Sequence, residues 1–200
     1  MSDALLRKLE NDARAAGSDA KRWLDLAVAA LRIQAWRLAW TALDQGRKVP
    51  PGGLRDMLLA ARAAAAQAWG IPFELEARER ARVSMPRTLR FWQPRVTVGR
   101  WRGNDVVVED ETVEGNQAFF AVHAGELEVE NRFASHLPVT RVQGSPVVTR
   151  AKLRPGDVVS FGKTRYEVRD PARLPAAPSV GERALARGAE LALAALSAAR

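Results

Sequence analysis

The sequence predicts an α+β protein: a helical N-terminal hairpin, an antiparallel β-sandwich and a C-terminal helix. Three observations predict it. Apolar residues recur at helical spacing through residues 1–83. Between 87 and 170 the pattern changes to short β-branched or alternating runs punctuated by glycine. Helical spacing returns over 180–200, after a linker at 171–179 marked by Pro171, Pro175 and Pro178.

In the first region, Leu5, Leu6, Leu9 and Ala13 fall on one helical face, and Gly17 can close that helix. Ser18 and Asp19 are good N-cap types for a second helix, read as running to about Gln45 and ending at Gly46. Leu24, Val28, Leu31, Ala35, Leu38 and Ala42 line one face of it, and Trp23, Leu26, Ala30, Ile33 and Trp40 another. A surface this wide implies burial on two sides. Lys48-Val49-Pro50-Pro51-Gly52-Gly53 must break the helix. A third helix follows over about Leu54–Trp69, and Gly70-Ile71-Pro72 ends it. Glu74 to Arg82 reads as a charged, solvated helical stretch that ends by Met85-Pro86. The apolar face left on the hairpin requires a cover, and Trp23, Ile33, Trp36 and Trp40 are its candidate interface residues.

In the second region, strands are expected at 95–99, 105–108, 118–122, 126–130, 146–148, 157–161 and 164–168. Ala124-Gly125 and Gly162-Lys163 sit where hairpin turns belong. Frequent short strands argue for a sandwich or barrel. The last 21 residues, with Leu185, Ala189, Ala192 and Leu196 on one side, form a helix that is marginal alone and gains stability by docking.

Composition narrows the function. The charge is +8, distributed as +4 over 1–83, +2 over 84–171 and +2 over 172–200. A nucleic-acid binder concentrates its excess in a patch or stripe, so nucleic acid is not the expected partner. A basic helical nucleic-acid-associated protein stays as an alternative, and steep loss of DNA affinity with salt would identify it. The chain has no cysteine, which fits a reducing compartment, and the cytoplasm is the expected location. No apolar run is long enough for a membrane span, and the charged N-terminus is not a secretory signal. Arginine outnumbers lysine and alanine is abundant, as a GC-rich bacterial genome would produce. There is no Walker loop, no Gly-x-Ser-x-Gly and no His-Glu-x-x-His. His123 and His136 are the only histidines, and neither has an obvious paired acid in the sequence. An enzyme, a cofactor, a metal and a small-molecule substrate are therefore not expected.

Three pieces of the β region carry a resemblance: Val98-Gly99-Arg100; Gly103-Asn104-Asp105-Val106-Val107-Val108; and Leu153-Arg154-Pro155-Gly156-Asp157-Val158-Val159-Ser160-Phe161-Gly162, followed by Tyr166-Glu167-Val168. In order and spacing they resemble the forkhead-associated (FHA) family. The resemblance implies an interaction module whose loops, at one end of the sandwich, bind phosphothreonine peptides. It also implies which positions matter. Where the family has Ser-Arg-x-His, this chain has Glu114-Gly115-Asn116-Gln117. An ionised carboxylate at Glu114 donates nothing and repels phosphate, and Gly115 removes a bidentate donor. The family's Asn-Gly-Thr falls within Ser135-His136-Leu137-Pro138-Val139-Thr140, where it is missing. Arg100 alone is retained; it either binds an anion or pairs with loop backbone or an acid. Trp101 is either an exposed contact or a packing residue.

The sandwich is thus expected to bind protein without phosphothreonine selectivity. Its candidate partner-loop residues are Arg100, Trp101, Arg102, Glu114, Asn116, Gln117, Arg132 and Thr140. The expected function is a non-catalytic adaptor or structural subunit in a larger bacterial assembly. The alternative within the family is a phosphopeptide-binding signalling adaptor, which restoring Glu114→Ser with Gly115→Arg is expected to approach.

Overall fold

The computed structural model describes residues 3–78, 87–132 and 139–198. Two compact units emerge: Met1–Trp69 with Pro175–Arg200, and Gly70–Leu174.

The first unit is helical: α1 (Asp3–Ala16), α2 (Ala20–Arg32), α3 (Trp36–Asp44), α4 (Gly53–Trp69) and α5 (Glu182–Ser197). Asp19 caps α2, its carboxylate accepting from the amides of Lys21 and Arg22 at 3.0 and 3.2 Å. The single helix expected from Ser18 to Gln45 is two helices. Gln34 takes a left-handed φ of 59°. The amide of Ala35 then bonds the carbonyl of Ala30 at 2.9 Å, and the amide of Gln34 bonds that of Leu31 at 3.2 Å. This pair of bonds closes a helix in the Schellman manner. Glycine is the usual residue for that closure, so a glutamine there gives no warning in sequence.

The break folds the broad apolar surface inward. Trp23 and Trp40 are core residues, 6% and 3% exposed. The Trp23 indole donates to the Gly17 carbonyl at 2.8 Å. Arg62 pairs with Asp44 at 2.7 Å and lies over the Trp40 ring. Trp36 and Ile33 are half-buried, Trp36 meeting Trp69 edge-on at 5.5 Å. The four residues expected to form a partner interface are therefore largely internal to this unit. Its cover is α5, which packs along α4. Trp69 is fully buried, and its indole donates to the Leu185 carbonyl on α5 at 3.1 Å. A Cβ on Gly188 would sit 2.1 Å from that indole nitrogen. Small residues on α5 (Gly188, Ala189, Ala192) thus let it approach a large ring on α4.

The second unit contains β1 (Phe73–Ala77), β2 (Thr88–Phe91), β3 (Arg95–Gly99), β4 (Val106–Val107), β5 (Ala118–His123), β6 (Glu126–Asn131), β7 (Thr140–Val142), β8 (Ser145–Pro146), β9 (Arg150–Lys152), β10 (Val158–Phe161) and β11 (Thr164–Arg169). One sheet runs β2-β1-β11-β10-β7-β8 and the other β4-β3-β5-β6-β9. The paired strands are antiparallel except β3 and β4, which are parallel.

The helical reading of Glu74–Arg82 is overturned at its start. Residues 73–77 are a strand of the sandwich, while 79–86 lie outside the described residues, as does the Met85-Pro86 terminator. Phe73 and Leu75 enter the core, and Glu74 and Glu76 meet arginines on or next to other strands. Glu74 pairs with Arg90 at 2.6 Å, Glu76 with Arg87 at 3.2 Å and with Arg169. The described start of what reads as a solvated charged helix is a strand whose glutamates form ion pairs across the sheet. The helical region ends at Trp69 rather than 83, and the β unit begins at Gly70 rather than 87. The expected strand at 146–148 is also displaced. β8 stops at Pro146, Val147 turns into the core, and Val148 is 69% exposed.

The core is an aromatic chain between the sheets. Phe73 contacts Phe120 at 5.3 Å, Phe120 contacts Phe161 at 6.0 Å, and Phe161 contacts Tyr166 at 6.5 Å. Burial pushes the Tyr166 phenol up to about 12. Among the described residues, no helix is long and apolar enough to cross a membrane.

Candidate interaction site

β3 ends at Gly99, and the chain leaves the sheet as the loop Arg100–Asp105. The next loop, 108–117, returns beside it. Two backbone bonds join them: the Arg100 amide to the Glu114 carbonyl at 2.9 Å, and the Trp101 amide to the Gly115 carbonyl at 3.1 Å. The Asn104 side-chain amide locks the pair by donating to the carbonyls of Trp101 and Gly115 at 2.9 and 2.6 Å. Asn104 is 8% exposed, so these bonds work in a dry setting. Asp105 fixes the exit of the first loop, accepting from the Thr97 amide and hydroxyl at 2.7 and 2.8 Å. Asn104 therefore holds two loops together, and Asp105 ties the first loop back to β3.

Behind these loops lies a buried polar chain. Gln117, 1% exposed, accepts from the Glu114 amide at 3.1 Å and donates to Asn131 Oδ1 at 2.8 Å. Asn131 donates to the Val147 carbonyl at 3.3 Å and accepts from the Thr140 hydroxyl at 3.3 Å. Three loop-bearing segments are thereby tied to one amide pair. Sequence reading missed Asn131, because nothing in the strand Glu126–Asn131 marks its end as a junction between loops. Gln117 and Thr140, expected to touch a partner, are buried ties that shape the end of the sandwich from within.

The exposed members are Arg100, Trp101, Arg102, Glu114 and Arg132, with Asn116 half-buried. Trp101 stands out at 63% exposure, and its indole lies across Gly115. A Cβ on Gly115 would sit 2.2 Å from Trp101 Cε2. Gly115 is thus occupied ground. A side chain at position 115, as in the double reversion Glu114→Ser with Gly115→Arg, requires the exposed indole to move aside. Of the expected second recognition stretch, Ser135 to Thr140, residues 135–138 lie outside the described residues.

Asp110 anchors the second loop to the β10–β11 hairpin. Its carboxylate accepts from the Thr112 hydroxyl and amide at 2.6 and 2.9 Å, and from the Lys163 amide at 2.7 Å. These bonds, the Thr112 hydroxyl foremost, hold its pKa below the ordinary 3.8. A depressed carboxyl stabilises the fold above its unfolded value and loses that contribution as pH falls through the folded one. Asp110→Asn is therefore expected to lower the melting temperature at pH 7. The difference from the parent should shrink once the pH drops below 3.8. Melts at pH 7 and pH 3 check this, and an equal deficit at both would rule out the charge as the cause.

Paired loops on one end of a two-sheet sandwich, fixed by buried amides and presenting an exposed aromatic beside arginines, define an interaction module. Residues 96–162 match the family described as FHA domain, and the sandwich is an FHA domain. No curated protein matches the chain. Solved structures similar to it include an FHA domain from Chlamydia trachomatis, at 19% identity and TM-score 0.43, covering 50% of this chain and 99% of that one. The N-terminal FHA domain of S. cerevisiae Rad53p, in complex with a phosphothreonine peptide, is 11% identical with TM-score 0.42, covering 50% and 94%. Mycobacterium tuberculosis EmbR, in complex with a low-affinity phosphopeptide, is 14% identical with TM-score 0.43, covering 86% of this chain and 52% of that one.

Proposed function

We propose that this chain is a non-catalytic adaptor or structural subunit of a larger assembly in a bacterial cytoplasm, and that its FHA domain binds protein without requiring phosphothreonine. The observation that carries this reading is the Trp101–Gly115 contact. The position where the family places a basic phosphate ligand is covered by an exposed indole, and Glu114 presents a carboxylate beside it. The Glu114 amide, a potential anion donor, is already bonded to Gln117. Arg100 and Arg102 remain on the rim, where an acidic or polar segment would meet them. Exposed tryptophan flanked by arginine is the composition of an interface hot spot.

The test is a calorimetric comparison of paired threonine and phosphothreonine peptides. Equal, weak binding of both is expected. A clear preference for the phosphorylated form would overturn the reading in favour of a phosphopeptide-binding adaptor. Once a partner is captured, Trp101→Ala is expected to weaken it by about 2 kcal/mol or more, as central aromatic contacts do, with the melting temperature unchanged.

A further inference from the structure

The outer face of the second sheet carries a constellation that the peptide-binding end does not use. β5 and β6 pair in the register Phe119↔Glu130, Ala121↔Glu128 and His123↔Glu126. Leu127 and Val129 point into the core, so Glu128 and Glu130 project from the opposite face. His123 lies diagonally across from Glu130, with Ala121 between them. A methyl group there leaves the space above it open, and His123 Nε2 and Glu130 Oε1 meet over it. Glu128 completes the group: one ligand atom from each of His123, Glu128 and Glu130 lies within 4.8 Å of the others.

Glu128 is the observation that separates this group from an ordinary surface ion pair. It is only 5% exposed, and its Oε2 is enclosed without a hydrogen-bond donor. Arg150 holds a guanidinium nitrogen 3.8 Å from that oxygen, too far for a hydrogen bond. Arg150 thus supplies a counter-charge but no bond, and a buried carboxylate oxygen next to a second carboxylate is still open to a cation at bonding distance. An imidazole and two carboxylates are ligands for a borderline divalent metal, which bonds each at roughly 2.0–2.2 Å.

We propose that His123, Glu128 and Glu130 form a divalent transition-metal site, with zinc the fitting ion. Three protein ligands leave a coordination position open. The side chains of His123 and Glu130 are 42% and 21% exposed, so that position faces solvent and is available to water or to a ligand from a bound protein. Spacing along the chain does not suggest the site: two ligands alternate on one strand and the third sits across a hairpin.

Calorimetric titration of the tag-free, chelator-treated 200-residue chain with zinc chloride tests it. One saturable site per chain is expected, together with a rise in melting temperature. His123→Ala and Glu130→Gln should each weaken zinc binding by about 100-fold or more, beyond the 10–100-fold typical of losing a supporting partner. Glu130→Gln keeps the side-chain volume, and circular dichroism of each variant shows whether it is folded. Cobalt(II) should give a visible absorption band that both substitutions abolish. Absence of saturable zinc binding by the parent overturns the proposal. So does undiminished binding in folded His123→Ala and Glu130→Gln proteins, which would place any bound ion elsewhere.

Discussion

Replacing Trp69 with alanine is expected to destabilise the helical unit by about 3–5 kcal/mol, the range for truncating a buried aromatic. The ring is fully buried. Its edge-to-face contact with Trp36 and its hydrogen bond to the Leu185 carbonyl are both lost with it. The cavity would lie against Gly188, which has no side chain to fill it. Trp69→Phe should recover part of the loss, since the ring contact survives and the indole donor does not. Deleting residues 175–200 is expected to act in the same direction, because α4 then exposes the face that α5 covers. Urea unfolding followed by circular dichroism at 222 nm measures all three, with dye binding reporting newly exposed apolar surface. If Trp69→Ala and the truncated chain both unfold at the parent's midpoint, the α4–α5 packing contributes nothing and this account of the tail is wrong.

The second large effect is expected at Gly99→Ala. A Cβ there would lie 2.2 Å from the Gly115 carbonyl oxygen, 2.7 Å from its carbon and 2.9 Å from Asn116 Cα. These are backbone atoms and cannot rotate away, so the loop 108–117 must shift. The shift strains the Arg100–Glu114 and Trp101–Gly115 bonds and the Asn104 lock behind them. Overpacking costs about 1–3 kcal/mol, and each hydrogen bond lost adds about 1 kcal/mol. A destabilisation near 3 kcal/mol is therefore expected, with Trp101 displaced from Gly115. A lowered melting temperature and altered Trp101 fluorescence, the latter read against Trp101→Phe, would report it. A stable Gly99→Ala protein with unchanged fluorescence would show that the two loops are not held as described. The glycine before Arg100 is thus required by the close approach of a neighbouring loop, whatever ligand the arginine meets.

The class of fold could be read from the chain because it rests on local periodicity. The turn at Ala124-Gly125, with φ of 50° and 78°, and the turn at Gly162 are where hairpin signals place them. Val96, Val98, Phe120, Val129, Val159 and Phe161 alternate inward as their strands require. The helix α5 follows from its spacing of Ala189, Ala192 and Leu196. Other elements depend on partners far away in sequence. Glu74 and Glu76 suit a strand because Arg90 and Arg169 stand on the strands beside them and Arg87 immediately precedes one. Gln34 ends a helix in a conformation its residue type does not advertise, and Gln143 with Gly144 turns β7 into β8 in the same left-handed way.

The candidate site divides similarly. Glu114 and Gly115 are matters of residue identity, so the expectation that the family's phosphate donors are altered there rests on the sequence alone. That Gln117 and Thr140 are buried ties, that Asn131 joins three segments, and that Trp101 covers Gly115 were decided only by tertiary structure. So was the meeting of His123 with Glu128 and Glu130. The physical reason is common to all of these. Hydrogen bonds, ring contacts and ligand clusters form between side chains that strand register and loop packing bring together, and neither is encoded at any one position of the chain.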